Sequence, residues 1–192
     1  HEDRHEGTFL LGYEESYGYM KGQYSRDKDG VVASMLICEM AAYYRLRGMT
    51  LIDAVDSLYE KYGFYMEKSA EIYMEGLDGK EKIIALMNKL RAEEPAEIAG
   101  SRVVNIRDYL AETSKNTVTG EVAGTGLPKS NVMYYKTENG NVVVARPSGT
   151  EPKIKFYILA NGKNEEETEE NVALCNAALE DMLGIPHGSL KK

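Results

Sequence analysis

The stretch Asn131–Leu159, NVMYYKTENGNVVVARPSGTEPKIKFYIL, predicts three consecutive antiparallel strands. Its parts 131–136 and 141–146 alternate apolar and polar residues around Glu138-Asn139-Gly140, and the Asn-Gly pair there predicts a type I′ hairpin. In the third part, 153–159, successive side chains point to opposite faces. One face of this last strand is apolar and carries Ile154, Phe156 and Ile158.

Segments with helical patterns lie both before and after these strands in the sequence. Asn164, with Glu167 three residues later, predicts the start of a helix whose apolar stripe is Thr168, Val172, Cys175, Leu179 and Met182. Upstream, the patterns predict a short strand over 71–74, a helix from Asp78 to about Leu90, a strand over 102–105 and a loop over 115–130. Together these elements predict an α+β C-terminal domain in which an antiparallel sheet packs on helices.

The first third of the chain has a different pattern. It predicts a buried strand over 8–13, a hairpin over 19–24 with Gly22 at its turn, and helices over 31–47 and from Thr50 to Tyr62. A single good strand cannot form a sheet alone, so this region is typical of the end of an α/β domain, with part of a mixed sheet and its helices. The composition changes at 66–69. We therefore predict two domains, residues 1–67 and 68–192.

The composition excludes several classes of protein. With a formal net charge of −8, the chain is not expected to bind nucleic acid. No apolar run reaches membrane-spanning length and the N-terminus lacks signal-peptide character, so we predict a cytoplasmic protein that does not enter membranes. Cys38 and Cys175 both fall in apolar helical patterns, and we interpret them as reduced core thiols in preference to a disulfide.

The turn Arg146-Pro147-Ser148-Gly149-Thr150-Glu151-Pro152, here called the Arg146 loop, carries groups that suit a phosphate ester. A guanidinium pairs two oxygens at once, and the hydroxyls of Ser148 and Thr150 and the N–H groups around Gly149 add further donors. Lys155 lies on the polar face of the strand that follows. A plain tight turn is the alternative, because Gly, Pro, Ser and Thr all favour turns.

Two further motifs lie near the N-terminus. Glu14, Glu15 and Ser16 follow the first predicted strand, where sheets commonly place ligand sites, and they suit hydrogen bonds with sugar hydroxyls or acid–base chemistry. A solvated polar hairpin is the alternative. Lys28, within Arg26-Asp27-Lys28-Asp29-Gly30, either belongs to a surface helix cap or directs its charge at a substrate oxygen.

Three motifs in this order, GYEESYGYM (12–20), RDKDGV (26–31) and RPSGTEPKIKFY (146–157), resemble the C-terminal part of the α-D-phosphohexomutases, the phosphoglucomutase/phosphomannomutase family. The resemblance covers nearly the whole chain and is strongest to the branch of bacterial α-phosphoglucomutases and phosphopentomutase-like enzymes. It implies four domains around one cleft. Residues 1–67 would then be the end of the third domain, with its sugar-binding loop, and residues 68–192 the fourth, with its phosphate-binding loop.

The resemblance also implies roles for individual residues. Glu14 and Ser16 match the contacts with sugar hydroxyls, although Tyr13 stands where the family motif has glycine. Lys28 matches a lysine near the reacting sugar, and it is the single candidate for a catalytic role. The phosphate loop is matched by Arg146, Ser148, Gly149 and Thr150, with Lys155 at a position often held by arginine. No residue is matched to a metal.

The activity implied is that of a Mg²⁺-dependent mutase that interconverts hexose 1-phosphate and hexose 6-phosphate through a phosphoserine and a hexose 1,6-bisphosphate. Glucose is the first choice of sugar and a pentose the second. The family's Ser-His phosphoserine loop and Asp-Gly-Asp-Gly-Asp metal loop, which belong to its first two domains, do not occur in this sequence. We therefore expect a fragment that is inactive alone and acts with N-terminal domains of the same protein. A stand-alone sugar-phosphate-binding module and a structural remnant are the alternatives.

Overall fold

The computed structural model describes residues 7–14, 17–74, 76 and 78–190. Contacts along the chain divide it into two compact units, His1–Lys61 and Tyr62–Lys192. The domain boundary that the composition predicts, between residues 67 and 68, falls further along the chain, inside a strand that runs over Phe64–Tyr73.

The first unit contains two helices and one short pair of strands. Strands β1 (Gly12–Tyr13) and β2 (Tyr19–Met20) pair antiparallel, and helices α1 (Gly30–Arg45) and α2 (Leu51–Tyr62) follow. Asp29 begins α1 as predicted, because its carboxylate accepts the N–H groups of Val31 and Val32 at 2.9 and 3.1 Å. The predicted capping box of α2 is present too, since Thr50 and Asp53 each accept the other's backbone N–H, at 3.1 and 2.7 Å.

Three predictions for this unit are wrong. Over 8–13 only β1 is a strand, and Leu10 is 68% exposed, because the described residues of the unit offer no further strand to pair with it or cover it. Residues 19–24 do not form a hairpin by themselves, since Tyr19–Met20 pairs back onto Gly12–Tyr13. Cys38 is exposed on α1 and is not a core thiol.

The second unit is an antiparallel sheet with two helices. Its helices are α3 (Gly79–Ala92) and α4 (Glu165–Leu183), and its strands are β3 (Phe64–Tyr73), β4 (Glu97–Ile98), β5 (Ser101–Asp108), β6 (Thr113–Asn116), β7 (Val122–Gly124), β8 (Met133–Thr137), β9 (Val142–Pro147) and β10 (Lys153–Gly162). The strand order is β3-β10-β9-β8-β5-β6-β7, and β4 pairs with β5. The sequence patterns detected only the end of β3, and they missed β4, β6 and β7; β7 and the second half of β6 lie in the predicted loop 115–130.

The core of this unit lies between one face of the sheet and helices α3 and α4. The predicted apolar face of β10 is fully buried, with Ile154 and Phe156 at 0% and Ile158 at 1% exposure. Cys175 of α4 is a buried free thiol, as predicted, and burial raises its pKa to about 11, so it stays protonated at neutral pH. The predicted fold class, an α/β region followed by an α+β domain with an antiparallel sheet on helices, is confirmed.

The β8–β9 turn differs from its prediction. A type I′ turn needs positive φ at both central residues, whereas here Gly140 (φ 93°) has it and Asn139 does not. Gly140 N–H donates to Thr137 O at 3.0 Å, and Thr137 N–H donates to Asn141 O at 2.9 Å. This is the three-residue hairpin, in which a type I turn is followed by a left-handed glycine. Asn139 uses its side chain instead, accepting the Thr137 hydroxyl at 2.6 Å.

Candidate functional site

The Arg146 loop connects the neighbouring strands β9 and β10, and the cations Arg146 and Lys155 lie side by side on them. Arg146 is the direct cross-strand partner of Lys155. Their chain neighbours Ala145 and Phe156 are fully buried against the helices. Because side chains alternate along strands, Arg146 and Lys155 lie on the face of the sheet opposite to α3 and α4.

Neither cation forms an ion pair within the described part of the chain. Arg146 is exposed and Lys155 half-buried, and neither side chain forms an ion pair or hydrogen bond with another described residue. Like charges directly opposite each other on a sheet destabilise it unless something compensates them. Two unpaired cations at the mouth of a turn therefore attract an anion.

The loop's own hydrogen bonds leave several donors for such an anion. Ser148 N–H donates to Lys153 O at 2.9 Å, and Ser148 Oγ accepts the N–H groups of Glu151 and Thr150 at 3.2 and 3.4 Å. Three backbone N–H donors of the loop, those of Ser148, Thr150 and Glu151, are thus used within the protein. The Ser148 and Thr150 hydroxyl hydrogens and the Gly149 N–H remain, since none of them has a partner among the described residues.

Gly149 is open on all sides. A Cβ atom placed on it would meet no atom within 4 Å, and its φ is not positive. The described residues therefore give no steric reason for glycine at this position. A ligand that approaches the backbone closely would supply one.

A cluster at the end of the loop was missed in the sequence. Lys153, only 8% exposed, holds its ammonium 3.0 Å from Glu151, 3.2 Å from Glu71 and 2.8 Å from the Tyr73 hydroxyl. The cluster depends on the pairing of β3 with β10, which places Tyr73 opposite Lys153 and Glu71 opposite Lys155. Predicting that pairing would have revealed it. Only the last residues of β3 were predicted as a strand.

In the first unit, the structure brings Glu14 and Lys28 together. Lys28 Nζ lies 3.4 Å from Glu14 Oε1 and 3.1 Å from Asp27 Oδ1. Gly18 makes room for this arrangement, because a Cβ there would lie 2.3 Å from Lys28 Cδ. The turn closes through a hydrogen bond from Glu14 N–H to Gly18 O at 2.8 Å, and Tyr17 within it has φ 64°.

The charges of this pair are favourable for a polar ligand. The Asp27 carboxylate, together with Glu14, raises the pKa of the Lys28 ammonium, which therefore remains a cation at neutral pH. Both side chains of the pair are about half exposed, at 53% for Lys28 and 52% for Glu14. A donor and an acceptor thus lie next to each other at the surface. Ser16 and Glu15, the other residues of the predicted sugar loop, lie outside the described residues.

No metal centre is found in the described ranges, where no three His, Cys, Asp or Glu side chains come close enough together to bind an ion. None of the described helices is long and apolar enough to cross a membrane.

Two family models match the chain. Residues 2–62 match the "Phosphoglucomutase/phosphomannomutase, alpha/beta/alpha domain III" model. Residues 85–176 match the "Phosphoglucomutase/phosphomannomutase, C-terminal domain" model. The first match falls almost entirely in the first structural unit, and the second lies within the second unit.

Curated relatives agree with these models. A phosphoglucomutase of Staphylococcus haemolyticus is 38% identical over 167 residues, which is 86% of this chain and 30% of the relative. A phosphoglucomutase of Staphylococcus aureus is 36% identical over 165 residues, with the same coverage. The chain thus spans about 30% of the length of the curated relatives it matches.

A solved structure has a similar fold. The open form of the phosphoglucomutase pp63/parafusin from Paramecium matches 88% of this chain and 29% of its own, with a TM-score of 0.56 and 17% identity. That identity is too low to carry more than the fold. With the two family models, which match both units in the family's order, the conclusion is that this chain belongs to the phosphoglucomutase/phosphomannomutase family.

Proposed function

We propose that this chain is the substrate-binding C-terminal part of a phosphohexomutase, residues 1–67 being the end of the third domain and 68–192 the fourth. The full enzyme would interconvert hexose 1-phosphate and hexose 6-phosphate through a phosphoserine and a hexose 1,6-bisphosphate. Glucose is the proposed sugar, in keeping with the names of the Staphylococcus relatives. We further propose that the enzyme works in the cytoplasm.

One observation carries this proposal: Arg146 and Lys155 are paired across β9 and β10 without an anionic partner in the described chain. We propose that these two residues, with Ser148, Gly149 and Thr150, bind the phosphate group that is not being transferred. A mutase needs such a clamp because its bisphosphate intermediate carries two phosphates. One of them is transferred while the other must be held in place. Most of the rate enhancement in phosphoryl transfer comes from positioning and charge neutralisation.

The sugar itself is assigned to Glu14, Ser16 and Lys28. The Glu14 carboxylate is suited to accept hydrogen bonds from two neighbouring hydroxyls, and the Lys28 ammonium, 3.4 Å away, to donate to a sugar or phosphate oxygen. Lys28 would stabilise negative charge near the reacting oxygen and would not serve as a base, since its pKa is raised. The ion pair also keeps each side chain in place before the sugar arrives.

The metal of the proposed reaction would be held elsewhere. The described residues provide no cluster of acidic or imidazole ligands, so they do not fit a Mg²⁺ centre. We assign those ligands, and the phosphoserine, to N-terminal domains of the full protein. This chain's own residues bind and orient the sugar phosphate.

Titration of the 192-residue chain with glucose 1-phosphate, followed by NMR, tests the clamp. We expect Arg146→Ala to weaken binding at least about tenfold, because a bidentate charge-assisted contact is lost. Arg102→Ala is the matched control, since Arg102 is an exposed arginine at the far end of the same sheet, beside the β8–β9 turn. Equal chemical-shift changes in the wild type and in Arg146→Ala would refute the phosphate assignment.

A coupled assay for glucose 6-phosphate separates the mutase part from a stand-alone binding module. The isolated chain should show no turnover under either assignment. Addition of the N-terminal domains of the same protein should restore turnover, and Arg146→Ala should reduce it. Failure to restore turnover, while glucose 1-phosphate still binds, would favour the binding module.

A further inference from the structure

Lys153 is a buried cation at the junction of the Arg146 loop and β10. Its side chain is about one-tenth exposed, yet its ammonium is fully satisfied. Three acceptors lie within hydrogen-bonding reach of Nζ: the Tyr73 hydroxyl at 2.8 Å, Glu151 at 3.0 Å and Glu71 at 3.2 Å. An ammonium has three N–H donors, so none is left for a ligand. Lys153 therefore differs in kind from Lys155, whose ammonium has no partner among the described residues.

These contacts join the loop to the edge of the sheet. Glu151 belongs to the loop, whereas Glu71 and Tyr73 belong to β3, so one ammonium ties the two segments together. A backbone hydrogen bond from Met74 N–H to Pro152 O, at 2.9 Å, reinforces the same junction. The C-terminal end of the loop is thus fixed from two directions.

Glu151 presents a problem for an anion-binding loop. Its carboxylate is 52% exposed and lies one residue after Thr150, where it would repel a phosphate. Lys153 sits 3.0 Å from this carboxylate and offsets its charge. Hydrogen bonds to Tyr73 and then to Glu151 raise the pKa of Lys153, so this compensation persists at neutral pH.

We infer that Lys153 is a positioning residue for phosphate binding: it neutralises Glu151 and fixes the Arg146 loop against β3, without touching the phosphate. The inference rests on the proposed function, because it assumes a phosphate at Arg146 and Lys155. The inference makes a specific prediction: Lys153 should matter for affinity mainly as long as Glu151 is charged, because Glu71, its other carboxylate neighbour, lies on β3 and not in the loop.

A double-mutant cycle tests this dependence. Affinity for glucose 1-phosphate is measured by NMR for the wild type, Lys153→Met, Glu151→Gln and the double variant. Lys153→Met should weaken binding about tenfold, since it leaves the Glu151 carboxylate next to the phosphate without its neutralising cation. In the double variant, affinity should return to within about threefold of the wild type. Glu151→Gln alone should change affinity less than about threefold, because Lys153 already offsets that charge.

Lys115→Met is the control, because it removes a lysine from the ion pair with Glu94, 2.5 Å away, elsewhere in the unit and with the same change of net charge. It should leave affinity unchanged. A Lys153→Met variant that binds normally, or a double variant no better than Lys153→Met, would overturn the inference. If Lys153→Met does not fold, Glu151→Gln still decides, because tighter binding by about tenfold would show an uncompensated carboxylate. Absence of Arg146-dependent binding in the wild type would overturn the proposed function, and this inference with it.

Discussion

Glycine is sterically required at some positions of this chain and not at others, and Gly79 and Gly149 illustrate the difference. A Cβ on Gly79 would lie 2.0 Å from the backbone oxygen of Met74, whereas a Cβ on Gly149 would meet nothing within 4 Å. Gly79→Ala should therefore lower the free energy of unfolding by about 2 kcal/mol or more, because backbone must move. Gly149→Ala should change it by less than about 0.5 kcal/mol. Urea denaturation measures both.

The same pair of variants separates folding from binding. Gly149→Ala should keep the wild-type stability but weaken glucose 1-phosphate binding, if the ligand approaches the loop backbone there. A loss of stability in Gly149→Ala equal to that in Gly79→Ala would contradict the open environment of Gly149 in this structure.

The carboxylate of Glu180 gives a prediction about pH. Glu180 is 1% exposed and accepts the N–H groups of Leu190 and Gly188 at 2.8 and 3.0 Å. These hydrogen bonds, led by that from Leu190, lower the pKa of Glu180. A depressed pKa in the folded state stabilises the protein above the unfolded-state pKa of about 4.3, and this contribution is lost as the pH falls through the folded-state value.

Glu180→Gln should therefore reduce the free energy of unfolding at pH 7, and the difference from the wild type should shrink as the pH is lowered below about 4. Urea denaturation at several pH values measures this. The conservative change keeps the size of the side chain, so that packing contributes little. A difference that stays constant down to pH 3 would mean that the charge of Glu180 is not what holds the segment 188–190.

At the scale of elements, helix starts were predicted well because caps are local. Asp29, Thr50 with Asp53, and Asn164 all accept N–H groups of their own first turns, as the sequence indicates. Asp78 is the exception, because it precedes α3 without a side-chain capping hydrogen bond and pairs with Lys82 at 2.8 Å instead.

The cap of α4 can be tested by mutation. Asn164 Oδ1 accepts Glu167 N–H at 2.8 Å, and Asn164→Ala should cost about 1 kcal/mol of stability. Glu169→Ala, an exposed position one turn further into the same helix, is the control and should cost less than about 0.5 kcal/mol. Equal losses in the two variants, measured by thermal denaturation, would argue against a capping role of Asn164.

Strands were predicted less completely, because pairing is not local. β3 is the edge strand of the sheet, and β10 pairs with it over its full length. Its residues are mostly half-buried or exposed in turn, so its sequence lacks the apolar alternation of a core strand. β6 is short and polar and β7 has only three residues, and they become strands by pairing with β5 and with each other. Gly, Thr and Ser in that segment favour turns when the sequence is considered alone.

At the scale of the whole molecule, the two units differ in how much apolar surface they bury. The buried hydrophobic residues described in the first unit are Val32 and Ala54, whereas the large core of Tyr135, Phe156 and Leu179 lies in the second. Limited proteolysis of the isolated chain should therefore cut first within residues 7–61 and leave a resistant core that begins near Tyr62. Mass spectrometry of the products identifies the cuts. Equal resistance of both units would contradict this division.

The sequence by itself determined the local and chemical part of this protein: the helix caps, the three strands around the Arg146 loop and the residues that mark the family. These depend on neighbours within a few positions, or on side-chain chemistry that needs no partner. The sheet order, the pairing of Arg146 with Lys155 and the enclosure of Lys153 by β3 were decided only by the tertiary structure. They bring together residues as far apart as Glu71 and Lys153, and such contacts depend on strand pairing and core packing rather than on local sequence.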